Sequence, residues 1–476
     1  MSDDDMPRLV MVVPNWPALD GAYASRDLDG IEREMKALLL ARLAAANLLP
    51  QRDAAAAFRV DYLASNPPPR GFSIDPATLR QRVVCGIVMT GGAAAAAMLV
   101  DSMALAYGPE ASIGADLPVR AAGEAGLDPF WTHWCPAEAA YHLFGNRADA
   151  LRAMGVPPGA LSHAPLPQPA RVSLIAVDTG LPPSLLPPLT DFCGFEVAVT
   201  IGKDTIIRRP GEPLTGHGDM VARNARAVSP RVRLLDCPVI PDGITDLPAF
   251  LGSIIATMHH VKVLVTALQD ADADSTEPPE SWVICNAWGV FDPSREFSGA
   301  PYSNNPAHPL AQAYRELAQR GIDIVFAAGN CGQFCPNPRC GTDFIGPGGS
   351  INGVNAMPEA LTVGAVRHDG LWLGFSGQGP GIAGLAAAKP DVCAPSQFED
   401  DDDAGSNTGT SAACGLAAGA VALLRTQWPS AAVNPAALRA ILRQTAVQPF
   451  GPPGWQGRTG HGVIDVAAAA AALDAP

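Results

Sequence analysis

Apolar residues fall in two different rhythms along this chain, and the change comes near residue 156. In the first third the spacing is mostly helical. Ile31, Met35, Leu38, Leu39 and Leu43 share one face, which predicts a helix over residues 31–49. Residues 136–154, "PAEAAYHLFGNRADALRAM", start with a proline and predict a second helix. Two short apolar runs, 9–13 and 83–89, predict strands. This region shows no internal repeat and no catalytic motif.

A proline-rich stretch, "VPPGALSHAPLPQPA", occupies residues 156–170 and reads as a linker. It divides the chain into an N-terminal domain (1–155), the linker (156–170) and a C-terminal domain (171–476). Beyond it, short apolar runs alternate with helical stretches: "RVSLIAVDTG", "RVRLLDCPVI", "SWVICNAWGV", "GIDIVFAAGN" and "ALTVGAV". Continuous apolar runs are the mark of strands buried on both faces, with helices crossing over between them. The C-terminal domain is therefore expected to be α/β with a parallel sheet. Ligands of such sheets bind outside the carboxyl ends of the strands. Asp178, Asn286 and Asn330 each stand at the end of such a run, so one sheet edge can gather them.

Composition narrows the picture. A chain of 476 residues, 48% hydrophobic and 17% charged, is long and apolar enough for two packed domains. The net charge of -15 argues against nucleic acid and against an anionic membrane surface as partners. The start, "MSDDDMPRLVMVV", is acidic where a signal peptide is basic, so the chain reads as unexported and cytoplasmic. The most apolar segment, 86–107, is broken by Asp101 and reads as a buried strand and helix. Ten cysteines without a signal peptide read mostly as buried thiols in a reducing compartment.

Four polar residues stand in settings that suit chemistry. Ser411 lies in "NTGTSAACGLAAG", among small residues that let another chain approach. A serine needs a base, an orienting group for that base, and donors for an oxyanion. His217, in "LTGHGDMVARNARAV", is flanked by glycines and starts a helical pattern. Asp178 ends "SLIAV", and Asn330 follows "IVFAAG". Singly, each has a structural reading: an Asx-turn for Asp178, a helix cap for His217, a left-handed turn for Asn330. Together they supply orienter, base, oxyanion donor and nucleophile, in the chain order Asp178, His217, Asn330, Ser411.

From about residue 171 onward the sequence resembles the subtilisin-like serine peptidases. The resemblance rests on "IAVDTG", "GHGDMVA", "FAAGN" and "GTSAACGLAAG", supported by "KPDVCAP" and "GHGVIDVAAAA". It implies a doubly wound, mostly parallel sheet beside a separate, mainly helical α/β N-terminal domain. It implies an endopeptidase acting on intracellular protein or peptide substrates through a Ser411 acyl-enzyme, with His217 as base, Asp178 as orienter and Asn330 as oxyanion donor. No cofactor or metal is expected. "ICNAWGV" resembles the segment that pairs with substrate as an added strand. By that likeness Ala287, Trp288 and Gly289 border the first substrate pocket, with Ala327, Ala328 and Gly329 opposite. Trp288 is equally readable as a core residue.

Some positions depart from the family pattern. Asp219-Met220 stand where Thr-His is usual. Gly415, after Cys414, replaces a proline, which would loosen the first turns of the helix after Ser411. The calcium loop of secreted members is missing after the His217 helix. "CGQFCPNPRCG" is an insertion: Cys331, Cys335 and Cys340 read as a stiffened loop over the first pocket, as a disulfide, or more weakly as a metal knuckle. "FEDDDDAG" reads as a solvated loop, or as a site for basic substrate residues or a cation. Two other functions fit the same pattern: a transpeptidase or macrocyclase maturing ribosomal peptides, and a non-catalytic scaffold. The N-terminal domain reads as accessory or regulatory, with a pro-region as one form of this.

Overall fold

The fold is that of a computed structural model. It describes residues 6–45, 57–66, 81–107, 111–121, 143–156, 170–189, 191–201, 204–240, 249–272, 279–400 and 406–474. In chain order the strands are β1 (Arg8–Pro14), β2 (Arg59–Ala64), β3 (Arg82–Val88), β4 (Ser112–Ala115), β5 (Pro118–Ala121), β6 (Val172–Val177), β7 (Val197–Ile201), β8 (Asp204–Arg208), β9 (Arg233–Cys237), β10 (Ala249–Phe250), β11 (Ser281–Asn286), β12 (Trp288–Gly289), β13 (Asp323–Ala327), β14 (Ala360–Val366), β15 (Val392–Pro395), β16 (Phe398–Glu399) and β17 (Ser406–Asn407). The helices are α1 (Pro17–Ser25), α2 (Leu28–Ala45), α3 (Gly92–Tyr107), α4 (Arg147–Ala153), α5 (His217–Val228), α6 (Leu251–Asp272), α7 (Pro309–Gln319), α8 (Gly409–Arg425), α9 (Pro435–Thr445) and α10 (Val466–Asp474).

The C-terminal body is built on a six-stranded parallel sheet in the order β15-β14-β13-β11-β6-β9. Every residue of β6, β11, β13 and β14 is buried, because helices cover both faces; this is why those strands read as unbroken apolar runs. The chain leaves β6 for β9 on one side and returns to β11 on the other. The carboxyl ends of β6 and β11 therefore flank the topological switch point, where such sheets bind ligands.

The N-terminal body is an antiparallel sheet in the order β2-β3-β1-β4, with α1, α2 and α3 on one face. The expected strands at 9–13 and 83–89 are β1 and β3, and the expected 31–49 helix is α2, described as far as Ala45. Strands β2 and β4 were not legible, being short and flanked by irregular sequence. Ile31, Met35, Leu39 and Leu43 of α2 pack on Leu9, Met11 and Val13 of β1. The opposite face, Val10, Val12, Tyr62 and Val84, packs against Ile254, Ile255 and Met258 of α6. Helix α6 is the one helix among the described residues long and apolar enough to cross a membrane, and here it is packed between the N-terminal sheet and α7.

The two bodies share a further sheet, ordered β12-β5-β10-β7-β8. In it β5, from the N-terminal region, lies antiparallel between β12 and β10. Residues 143–156, by contrast, sit with the C-terminal core. Ala150 and Met154 belong to its hydrophobic cluster, and Arg147 pairs with Asp400 at 2.7 Å. Of the linker expected at 156–170, residues 157–169 lie outside the described residues. So does the 136–142 part of the expected helix; of its described part, 143–146 are not helical and Arg147–Ala153 form α4. Asp400, expected in a solvated loop, is buried between Arg147 and Arg223, while Glu399 is exposed and Asp401 to Asp403 lie outside the described residues.

Six cysteines are buried thiols as expected. Cys331 and Cys340, however, form a disulfide, with their Cα atoms 5.8 Å apart. This removes two of the three thiolates a metal knuckle would need. Cys335 is also disulfide-bonded.

Three histidines line the seam between the bodies, His260 and His308 buried and His259 half-buried. His259 and His260 of α6 border a cavity of about 90 Å³ shared with Tyr23, Asn66 and Arg82. His308 caps α7: its Nδ1 accepts from the Leu310 N–H (3.2 Å), so its Nε2–H donates to the Ala115 carbonyl (2.9 Å). A proton on Nδ1 would break that cap and set a positive charge at the positive end of a helix. Burial pushes all three imidazoles down to about 4. For His259, Arg82 and Lys262 add to the shift and Glu316 opposes it. Asp116, bonded to Tyr62 and pushed up to about 6 by burial, acts in the opposite sense. Below the ordinary imidazole value of 6.5 the separated bodies take up protons that the docked form refuses until about pH 4. Docking should therefore weaken between pH 6.5 and 4, by up to about tenfold per histidine at pH 5.5, with Asp116 offsetting part of it. Hydrogen exchange of the full chain, corrected for intrinsic rates, should show β1 and α6 amides losing protection over that range, and His308→Gln should reduce the loss.

Candidate active site

The site is set by two helices that run side by side in the same direction. Added to Gly415 of α8, a Cβ would lie 2.5 Å from the Val221 carbonyl of α5; one added to Gly419 would lie 2.5 Å from the Ala225 carbonyl. The contacts step by four residues on both helices, so they are parallel and in register. One turn earlier, that register brings Ser411 level with His217. Gly415 is thus where the backbones touch, which gives a physical reason for glycine where the resemblance expects proline.

Asp178 follows β6 directly. Its Oδ1 accepts from the Thr179 N–H (2.7 Å) and lies 2.6 Å from His217 Nδ1. An Asx-turn would take the N–H two residues on; here the carboxylate takes the N–H of the next residue, Thr179, and meets the imidazole. Gly218 permits the approach, because a Cβ there would meet the Gly180 carbonyl at 2.5 Å. Thr179 Oγ1 accepts from the Gly218 N–H (3.2 Å) and joins Thr215 Oγ1 (3.1 Å), fixing the start of α5 to the end of β6. Nearby Asp236 is a residue the sequence did not single out. Its Oδ2 accepts from the Leu181 and Gly211 N–H groups (both 3.0 Å), and burial pushes its carboxyl up to about 7.

Ser411 and Asn330 are fully buried. Asn330 Oδ1 accepts from the Thr410 N–H (3.0 Å) and hydroxyl (2.9 Å), one residue before Ser411. Its amide oxygen is thereby committed, leaving the NH2 end as the donor. The Ser411 hydroxyl donates to the Ala287 carbonyl (3.2 Å), and His217 Nε2 is buried without a hydrogen-bond partner. The Asp178–His217 bond is thus made while the Ser411–His217 bond is not. Catalytic hydrogen bonds are often loose before substrate arrives. Asn286, also at a strand end, is consumed structurally by Tyr314 and the Val325 carbonyl.

At the ends of β12 and β13 lies a cavity of about 10 Å³. Of the expected pocket residues, Gly289, Ala328 and Gly329 line it. Ala287 and Ala327 contribute carbonyls to hydrogen bonds and do not line it. Trp288 pairs with Ala121 through its backbone while its ring packs into the core against Phe326, settling its two readings in favour of the core. Sequence reasoning missed Val290, Phe291, Ser350, Asn352 and Asn355 in the lining. It had placed the Cys331 insertion over this pocket, and Cys331 is in its wall.

Residues 259–462 match the model described as the subtilase family. Over that span the chain is similar to the subtilase family. Asn330 and Ser411 fall within the matched span, while Asp178 and His217 precede it and join the site through the geometry above. No curated protein matches the chain. Among solved structures it is similar to fervidolysin from Fervidobacterium pennivorans, a keratinolytic enzyme related to subtilisin (14% identity, TM-score 0.48, covering 99% of this chain and 62% of that one). It is also similar to MycP1 from the ESX-1 type VII secretion system (20% identity, TM-score 0.44, covering 74% and 91%). The chain thus spans less than two thirds of fervidolysin's length.

Replacing Gly415 by alanine should force α5 and α8 apart at the site's base. A cost of about 1–3 kcal/mol is expected, read as a lower urea midpoint with an unchanged slope.

Proposed function

We propose that this protein is a serine endopeptidase that hydrolyses peptide bonds through an acyl-enzyme on Ser411. The observation that carries the reading is the 2.6 Å contact between Asp178 and His217, at the head of a helix in register with the one that bears Ser411. In this reading Ser411 Oγ attacks the substrate carbonyl and passes its proton to His217 Nε2. Asp178 keeps the other proton on Nδ1 and stabilises the imidazolium. The Asn330 NH2 and the Ser411 backbone N–H stabilise the oxyanion, helped by the positive end of α8. His217 then protonates the leaving amine, and water releases the acyl group by the reverse sequence. The substrate is a protein or peptide, laid as a strand along β12.

The N-terminal body is proposed to regulate this site as a pro-region. Strand β5 lies between β12 and β10, the position such a substrate strand would take, so the chain holds its own segment there. Release would follow a cut after Ala121 and before residue 143, where the chain joins the C-terminal core. The Cys331–Cys340 disulfide favours an oxidising setting over the reducing compartment expected from the acidic start.

A fluorophosphonate probe should label the protein and fail on Ser411→Ala. Asp178→Asn should keep the fold and lower kcat by about 10³- to 10⁴-fold, since the imidazole loses its fixed tautomer. Intact-mass analysis should find a new N-terminus between residues 122 and 143, absent from Ser411→Ala. An uncut chain with full peptidase activity would overturn the pro-region reading, and absence of labelling would overturn the peptidase reading.

A further inference from the structure

The cavity at the ends of β12 and β13 is small, and its walls are held by hydrogen bonds and a disulfide. About 10 Å³ is room for roughly one water or one methyl group. Asn355 sets its width: its Nδ2 donates both to the Trp288 carbonyl (3.0 Å) and to the Ala327 carbonyl (2.8 Å), tying the ends of β12 and β13 together. Asn355 is itself held by Thr362, whose hydroxyl donates to its backbone carbonyl (2.6 Å). Phe291 and Cys331 close the far side. Neither is free to swing away. The Phe291 ring lies under the Arg339 guanidinium at 4.9 Å, and its carbonyl accepts from the Gly341 N–H (3.0 Å). Cys331 is tethered to Cys340 by the disulfide, and its carbonyl accepts from the Gly346 N–H (2.8 Å).

We infer that this pocket restricts cleavage to bonds that follow a residue with a very small side chain: glycine, alanine or serine. The inference rests on the peptidase reading above. It deepens that reading by naming the substrate class, with Phe291, Cys331 and Asn355 as the residues that set it. The strand register gives the level at which the residue before the cut would lie. β5 pairs Arg120 with Gly289 and Ala121 with Trp288. A peptide continuing in that register brings its next residue level with Ala287, whose carbonyl accepts from Ser411. A leucine or phenylalanine in the pocket would have to displace Phe291 or strain the Asn355 bridge. Overpacking of this kind lowers kcat/KM by about 10- to 100-fold relative to alanine.

The test uses the full-length protein after incubation, with active sites counted by fluorophosphonate titration. A peptide series that differs only at the residue before the cut (Gly, Ala, Ser, Leu, Phe) is then digested, and rates are divided by titrated sites. Preference for the three small residues by tenfold or more is expected. Phe291→Ala should narrow the ratio of alanine to leucine substrates by about tenfold. Titratable sites that cleave after Leu or Phe as fast as after Ala would overturn the inference and leave the peptidase reading standing. Absence of titratable sites would overturn both. If Phe291→Ala fails to fold, the wild-type profile still decides.

Discussion

The close parallel approach of two helices underlies the rest of the site. Helices α5 and α8 touch backbone to backbone at Gly415 and Gly419. Such an approach is possible only where no Cβ intervenes, and it leaves little freedom to slide. Because His217 opens α5 and Ser411 lies in the first turn of α8, the register between the helices becomes the register between the two residues. The sheet then does the remaining work. β6 ends at Asp178, and β13 is followed by Asn330, so the switch point delivers a carboxylate to the imidazole and an amide beside the hydroxyl.

The same edge explains why the N-terminal body matters. A parallel sheet with both faces covered can accept a partner strand only where its connections turn outward. Strands β10 and β12 do so, and β5 fills the gap between them. The seam beneath is mostly apolar, with neutral histidines and one buried carboxyl at its margins. Its apolar contacts hold the bodies together, and its titratable groups make the hold depend on proton activity. Strand β5 and the seam beneath it join the same two bodies.

Much of this was legible along the chain. Buried parallel strands announce themselves as unbroken apolar runs, and β6, β9, β11, β13 and β14 all lay where such runs lay. Asp178, His217, Asn330 and Ser411 were visible because each stands where a run ends or a small-residue helix begins. The pocket was half legible. Gly289, Ala328 and Gly329 came from the family resemblance, but Phe291, Ser350, Asn352 and Asn355 come from loops with no periodic signal. Trp288 shows the limit: a two-residue strand does not say which of its faces meets the core.

What the sequence determined by itself is the type of each element and the identity of the reactive groups, because these depend on local periodicity and on single side chains. Tertiary structure alone decided the register between α5 and α8, the seating of β5 beside β12, the place of Cys331 in the pocket wall, and the packing of Ala150 and Met154 into the C-terminal core. Each of these is a contact between segments far apart in the chain. Local spacing carries no information about such contacts, since they are fixed by which surfaces fit once every element competes for burial.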